Sequence, residues 1–94
     1  MKLIFEWSEE KANINFQKHK IHFKEAKTIF ADPFLITFSD SEHSDNEFRY
    51  LSIGVDLKGR ILVLVHTERN GNIRIINCRK ATVNERRAYE ERYN

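Results

Sequence analysis

The dipeptide Asn70-Gly71 constrains the fold of this chain more than any other feature. Both residues accept the positive φ that a two-residue type I′ turn requires, and such a turn joins two antiparallel strands in a set register. The flanking segments, Arg60–Arg69 and Asn72–Lys80, are rich in Ile, Leu and Val, which suit strands. With that turn, Arg69 opposes Asn72, Thr67 opposes Arg74, Val65 opposes Ile76 and Val63 opposes Cys78 on one face. On the other face, Glu68 opposes Ile73, His66 opposes Ile75, Leu64 opposes Asn77 and Leu62 opposes Arg79. The first face is apolar in its middle and suits packing on helices. The second mixes aliphatic groups with His66, Glu68, Asn77 and Arg79, as expected of a face left to solvent or ligand.

Other elements arrange themselves around the hairpin. Glu47–Val55 reads as a third strand of a meander, joined through the turn Asp56-Leu57-Lys58-Gly59. Leu3 to Trp7 and Phe34 to Phe38 read as further short strands. Ser8 looks like an N-cap with Glu9 and Glu10 behind it, opening a helix through about Lys18 that buries Ala12 and Phe16. A second helix carries Phe23, Ala26, Ile29 and Phe30 on one face and stops at Asp32-Pro33. Thr82-x-x-Glu85 is a capping box for a C-terminal helix with little to bury beyond Ala88, Tyr89 and Tyr93. The expected fold class is α+β: two N-terminal helices packed on one face of an antiparallel sheet, with a C-terminal helix, in one domain spanning 1–94.

Charge is unevenly spread. Residues 1–46 hold 6 Lys against 8 Asp and Glu, a sum of −2, whereas residues 47–94 hold 10 Lys and Arg against 6 Asp and Glu, a sum of +4. All the arginines lie beyond residue 48. Guanidinium groups bind phosphate or carboxylate with two prongs, so the block points to a phosphodiester or an acidic partner. A solvated basic face is the plain alternative. Only one cysteine is present, Cys78, inside an apolar run, which fits a buried thiol in a cytosolic protein. The start lacks a signal-peptide pattern, and no apolar run is long enough to span a membrane, so no membrane role is expected.

The second hairpin face carries chemistry if Arg49 lies beside His66 on the preceding strand. Arg49, His66, Glu68 and Arg79 then form one cluster. Glu68 or His66 can take the proton of a ribose 2′-hydroxyl, while Arg49 and Arg79 bind the scissile phosphate and its developing charge. Arg69, Arg74 and Lys80 would position the RNA backbone. Ordinary cross-strand charge pairing, such as Glu68 with a neighbouring Arg, accounts for the same residues without catalysis. The four histidines, His19, His22, His43 and His66, lack metal-ligand spacing, and a single cysteine cannot build a thiolate zinc site. Asp40, Glu42, His43 and Asp45 form an acidic loop better suited to solvent than to calcium. No glycine loop suits a nucleotide, so neither a metal nor another cofactor is expected.

Several segments, in order, resemble the BrnT family. These are Phe5-Glu6-Trp7, Lys18-His19, Phe23-x-x-Ala26, Phe30 and Asp32, followed by Glu47-x-Arg49, Gly54 and Thr67-Glu68-Arg69. Ile75-Ile76, Arg79-Lys80-Ala81 and Glu85-Arg86-x-x-Tyr89 complete the pattern. The resemblance implies a ribonuclease toxin of a type II toxin–antitoxin system with a RelE-like fold. It also implies silencing by a BrnA-type antitoxin, a ribbon-helix-helix protein that would make any DNA contact indirect. Arg86 and Tyr89 on the C-terminal helix are the expected antitoxin contacts. The chain departs from the family at Lys20, where a glycine is usual, at His22, where a serine caps the second helix, and at Asn77-Cys78 in place of Ser-Ala. An alternative is a non-catalytic member that binds an antitoxin and regulates its operon. A DNA-binding module fits less well, since no helix is basic on one face in a helix-turn-helix setting.

Overall fold

The computed structural model describes residues 2–40 and 48–93, with side chains through Arg92. Most of the acidic loop, with Glu42, His43 and Asp45, therefore lies outside the described residues, as do Glu47 and the side chain of Tyr93. In chain order the elements are β1 (Phe5–Glu6), α1 (Glu9–His19), α2 (Phe23–Ala26) with a 3-10 segment (Lys27–Ala31), β2 (Ile36–Ser39), β3 (Tyr50–Val55), β4 (Ile61–Arg69), β5 (Asn72–Lys80) and α3 (Val83–Tyr93). The sheet runs β1-β5-β4-β3-β2. β1 is parallel to β5 and the other pairs are antiparallel, so the sheet is mixed and not purely antiparallel.

Local chemistry accounts for the element ends. Ser8 Oγ accepts the Lys11 N–H at 3.3 Å and caps α1. Lys20 closes that helix at φ 60°, a left-handed position where glycine would be free of strain. His22 caps α2 without a side-chain hydrogen bond, and its ring instead stacks on Phe16 with centroids 4.0 Å apart. The expected single helix through Phe30 is a short α-turn that tightens into 3-10 geometry. Asp32 then stops it by accepting the Phe34 N–H at 2.9 Å through Oδ1.

Asn70 and Gly71 sit at φ 51° and 82°, the positive angles the turn needs. Register holds as expected from Arg69↔Asn72 through His66↔Ile75, then shifts by one. Val65 opposes Asn77, Val63 opposes Arg79, Leu64 opposes Cys78 and Leu62 opposes Lys80, while Ile76 is the extra residue of a β-bulge. A bulge swaps which face every later residue takes. Ile75 and Cys78 thereby share one core with Leu62, Leu64, Ile21, Phe23, Ala26 and Ile29. Unshifted pairing would have set Asn77 and Arg79 under the N-terminal helices, where a guanidinium is costly to desolvate.

Two cores result, one per face of the sheet. The N-terminal helices cover the face of Leu62 and Leu64, the reverse of the face expected. On the other, Ile53 and Val63 pack with Tyr89 of α3. Tyr89 donates to Asp32 Oδ2 at 2.5 Å, and the same oxygen accepts the Val55 N–H at 2.9 Å. Burial raises the Asp32 pKa, but these bonds more than offset it and leave the carboxyl below its ordinary value. Gly54 is required nearby: an added Cβ would stand 3.0 Å from Leu35 Cδ1 and 3.1 Å from Ile29 Cβ.

Candidate RNA-binding face

Strand pairing separates the residues expected to act together. Tyr50, not Arg49, lies across from His66, and Arg79 opposes Val63 on the far face. The cluster Arg49, His66, Glu68 and Arg79 therefore does not form. His66 and Glu68 instead border a pocket of about 210 Å³ with Thr37, Tyr50 and Ile73.

His66 is built into the core. Its ring meets Phe30 edge-on at 5.3 Å and stacks on Tyr50 at 5.7 Å. Its Nε2 lies 2.8 Å from Ser52 Oγ, which in turn lies 2.8 Å from Thr37 Oγ1. The side chain is 7% exposed, and burial pushes its pKa down to about 4. A neutral, enclosed imidazole of this kind ties three strands together and is poorly placed to accept a proton from a ligand. Glu68 is exposed near the hairpin tip.

The same register gathers arginines. Arg69, Arg74 and Arg79 share the face of Thr67, Val65 and Val63, with Asn77 between the last two arginines. Arg49 precedes Tyr50, so strand alternation carries it toward Leu51, on that face too. Arg74 reaches Glu6 at 3.7 Å. Thr67 is 2% exposed on this floor, and among the described residues its Oγ1 has no hydrogen-bond partner.

Arg79 is held by a carboxylate of the next element. Its Nη1 and Nη2 donate to Glu85 Oε1 and Oε2 at 2.6 and 2.9 Å, a two-pronged pair. Glu85 also accepts the Thr82 N–H at 2.9 Å while Thr82 Oγ1 accepts the Glu85 N–H at 3.2 Å, so the expected capping box is present. The Arg79 bond, chiefly, holds the Glu85 pKa down to about 2. Sequence reading missed this second duty of Glu85. Its signal was the spacing from Arg79 across the short link into α3.

The remaining expected contacts scatter. Lys80 turns away from Arg79 and borders a separate opening with Arg60 and Arg86. Arg60 there is spent on Asp56, at 2.9 and 2.7 Å. Tyr89 is 3% exposed and pins α3 to the sheet, so it presents no ring to a partner. Cys78 is buried as expected, and burial pushes its thiol pKa up to about 11. Among the described residues, no group of three or more His, Cys, Asp or Glu is placed to hold a metal ion. No helix among them is long and apolar enough to cross a membrane.

Comparison with known proteins agrees with this architecture. The family model described as ribonuclease toxin, BrnT, of type II toxin-antitoxin system matches residues 7–85. The match takes in Arg79 and the capping box and ends at Glu85. The fold is similar to the crystal structure of the Brucella abortus ribonuclease toxin, BrnT, with TM-score 0.66 and 18% sequence identity, covering 86% of this chain and 99% of that one. Among curated proteins no sequence matches.

Proposed function

This chain belongs to the BrnT family of type II ribonuclease toxins, and from that membership we propose that it cleaves RNA on the arginine face of β4 and β5. The observation that carries this reading is the bulge, which sends Asn77 and Arg79 to the side of the sheet that already holds Arg69 and Arg74. Arg79 binds the scissile phosphate and the charge that grows on it, using N–H groups left over from its pair with Glu85. Arg49, Arg69 and Arg74 hold neighbouring phosphates. The proton acceptor is a carboxylate of this face, Glu85 or Glu6, which pair with Arg79 and Arg74; Glu68 lies on the opposite face with His66.

The reaction proceeds without a metal: the base takes the 2′-hydroxyl proton, the 2′-oxygen bonds to phosphorus as the P–O5′ bond breaks, and the leaving 5′-oxygen takes a proton from solvent. In the cell the result is arrested translation and growth. A BrnA-type antitoxin of ribbon-helix-helix form silences the toxin by covering the arginines, with Arg86 at the margin, and contacts DNA on its behalf. RelE-like toxins are the wider class to which the proposed activity corresponds.

The deciding experiment is cleavage of a defined RNA in EDTA. The parental protein is expected to cut, and Arg79→Ala to be slower by about 10²-fold or more. Arg79→Lys is expected to recover only part of the rate, since an ammonium lacks the fork. Cleavage that needs added magnesium removes the metal-free reading. A folded Arg79→Ala that cuts at the parental rate removes Arg79 from the site. A second reading, a non-catalytic antitoxin-binding regulator, is favoured by the Glu85 pair, which already neutralises Arg79. No cleavage together with tight antitoxin binding would select it.

A further inference from the structure

We propose that the groove between α1 and the outer edge of β5 is a second RNA subsite, holding backbone phosphates of the strand that leaves Arg79. This proposal rests on the reading of the Arg79 face as the RNA site. β1 pairs with β5 only at Ile73 and Arg74, so among the described residues the later part of β5 has no strand on its outer edge. α1 takes that place. Asn15 Oδ1 accepts the Cys78 N–H at 3.1 Å, and Asn15 Nδ2 donates to the Ile21 carbonyl at 3.1 Å. With that anchor, positions 11, 14, 15 and 18 of the helix face the strand edge together.

The groove so formed has a volume of about 400 Å³. Lys11, Lys18 and His19 line the helix wall, and Asn77 and Arg79 the strand wall. No carboxylate among the described residues borders it. Among the described residues, neither Lys11 nor Lys18 forms an ion pair, although α1 carries Glu9 and Glu10. Lys11 and Lys18 are about 10 Å apart along the helix axis, room for about three stacked nucleotides. Arg79 and Asn77 belong to both the groove and the arginine face, so a strand bound at Arg79 runs into the groove without a break. That continuity favours a polyanionic strand over a free small anion, and the cationic wall favours phosphate.

The test pairs Lys11→Ala with Lys18→Ala in the full chain. Both positions are exposed on a helix that alanine suits, so folding should be kept, as an unchanged urea midpoint would show. The probes are a 2′-O-methyl RNA dodecamer and tetramer, which lack the nucleophile, and a poly-glutamate peptide. The double variant is expected to bind the dodecamer about ten-fold more weakly, with a log–log salt slope shallower by about 1.4 for two lost phosphate contacts. Tetramer binding should be unchanged. On a cleavable RNA, KM should rise while kcat stays within about two-fold. Unchanged dodecamer affinity and slope would overturn the subsite. Loss of poly-glutamate binding with RNA binding intact would assign the groove to an acidic protein segment and overturn it equally. Arg79→Ala separates the two levels. If it abolishes cleavage while the double variant binds like the parent, only the subsite fails. If it cleaves at the parental rate, the arginine-face reading fails and the subsite with it.

Discussion

His66 places a pH-sensitive weakness in the core. Its folded pKa of about 4 lies below the ordinary 6.5, so between these values the unfolded chain binds a proton that the folded chain refuses. Stability must therefore fall as pH drops from about 6.5 to about 4, by roughly 3 kcal/mol in full. Glu85 acts lower: its folded pKa of about 2 sits below the ordinary 4.5, so its contribution is complete above 4.5 and is lost as pH falls toward 2. The two windows barely overlap. Urea unfolding at a series of pH values should show a decline between 6.5 and 4.5 that His66→Gln flattens. An equally steep decline in that variant would show that some other group titrates there.

At the scale of elements, Tyr89 is the one buried side chain among the described residues of α3. The exposed face of α3 is polar, and Tyr89 is the side chain that enters the core with Ile53 and Val63. Removing the ring should cost about 3–5 kcal/mol, the usual range for a large buried side chain cut to alanine. Tyr89→Phe keeps the packing but leaves Asp32 Oδ2 short of a donor, for a loss of about 1–2 kcal/mol. Urea midpoints of the two variants order these effects. A Tyr89→Ala midpoint equal to the parental one would mean that α3 is not docked through this ring. Because α3 begins at Glu85's capping box, its docking and the placement of Arg79 are mechanically joined.

At the scale of the molecule, charge is sorted by face more than by half-chain. The sheet carries arginines on the side of α3 and a neutral, aromatic-lined histidine on the side of the N-terminal helices. A single RNA strand that touches three or four of these arginines should lose affinity with salt at a log–log slope between about −2 and −3. Fluorescence anisotropy of a non-cleavable RNA across a range of salt concentrations measures it. A slope near zero would place RNA binding, if any, in the small pocket beside His66 and Tyr50, where phosphate contacts are few.

Much of this was legible from local sequence. Asn70-Gly71 specified its turn because few residues accept positive φ, and Ser8 and Thr82-x-x-Glu85 marked helix starts because orphan N–H groups need nearby acceptors. The order of motifs was enough to indicate the family. The bulge was only faintly written, as the adjacent Ile75-Ile76 that breaks strict alternation before Asn77. Its outcome was set by packing: Cys78 had to meet Asn15 and the helix core, and Arg79 had to avoid it. A register shift of one residue is invisible to turn chemistry yet moves every later side chain across the sheet. The tertiary structure alone therefore decided that Arg79 stands with Arg69 and Arg74 and apart from His66. It did so because desolvating a guanidinium costs more than losing one ladder position to a bulge.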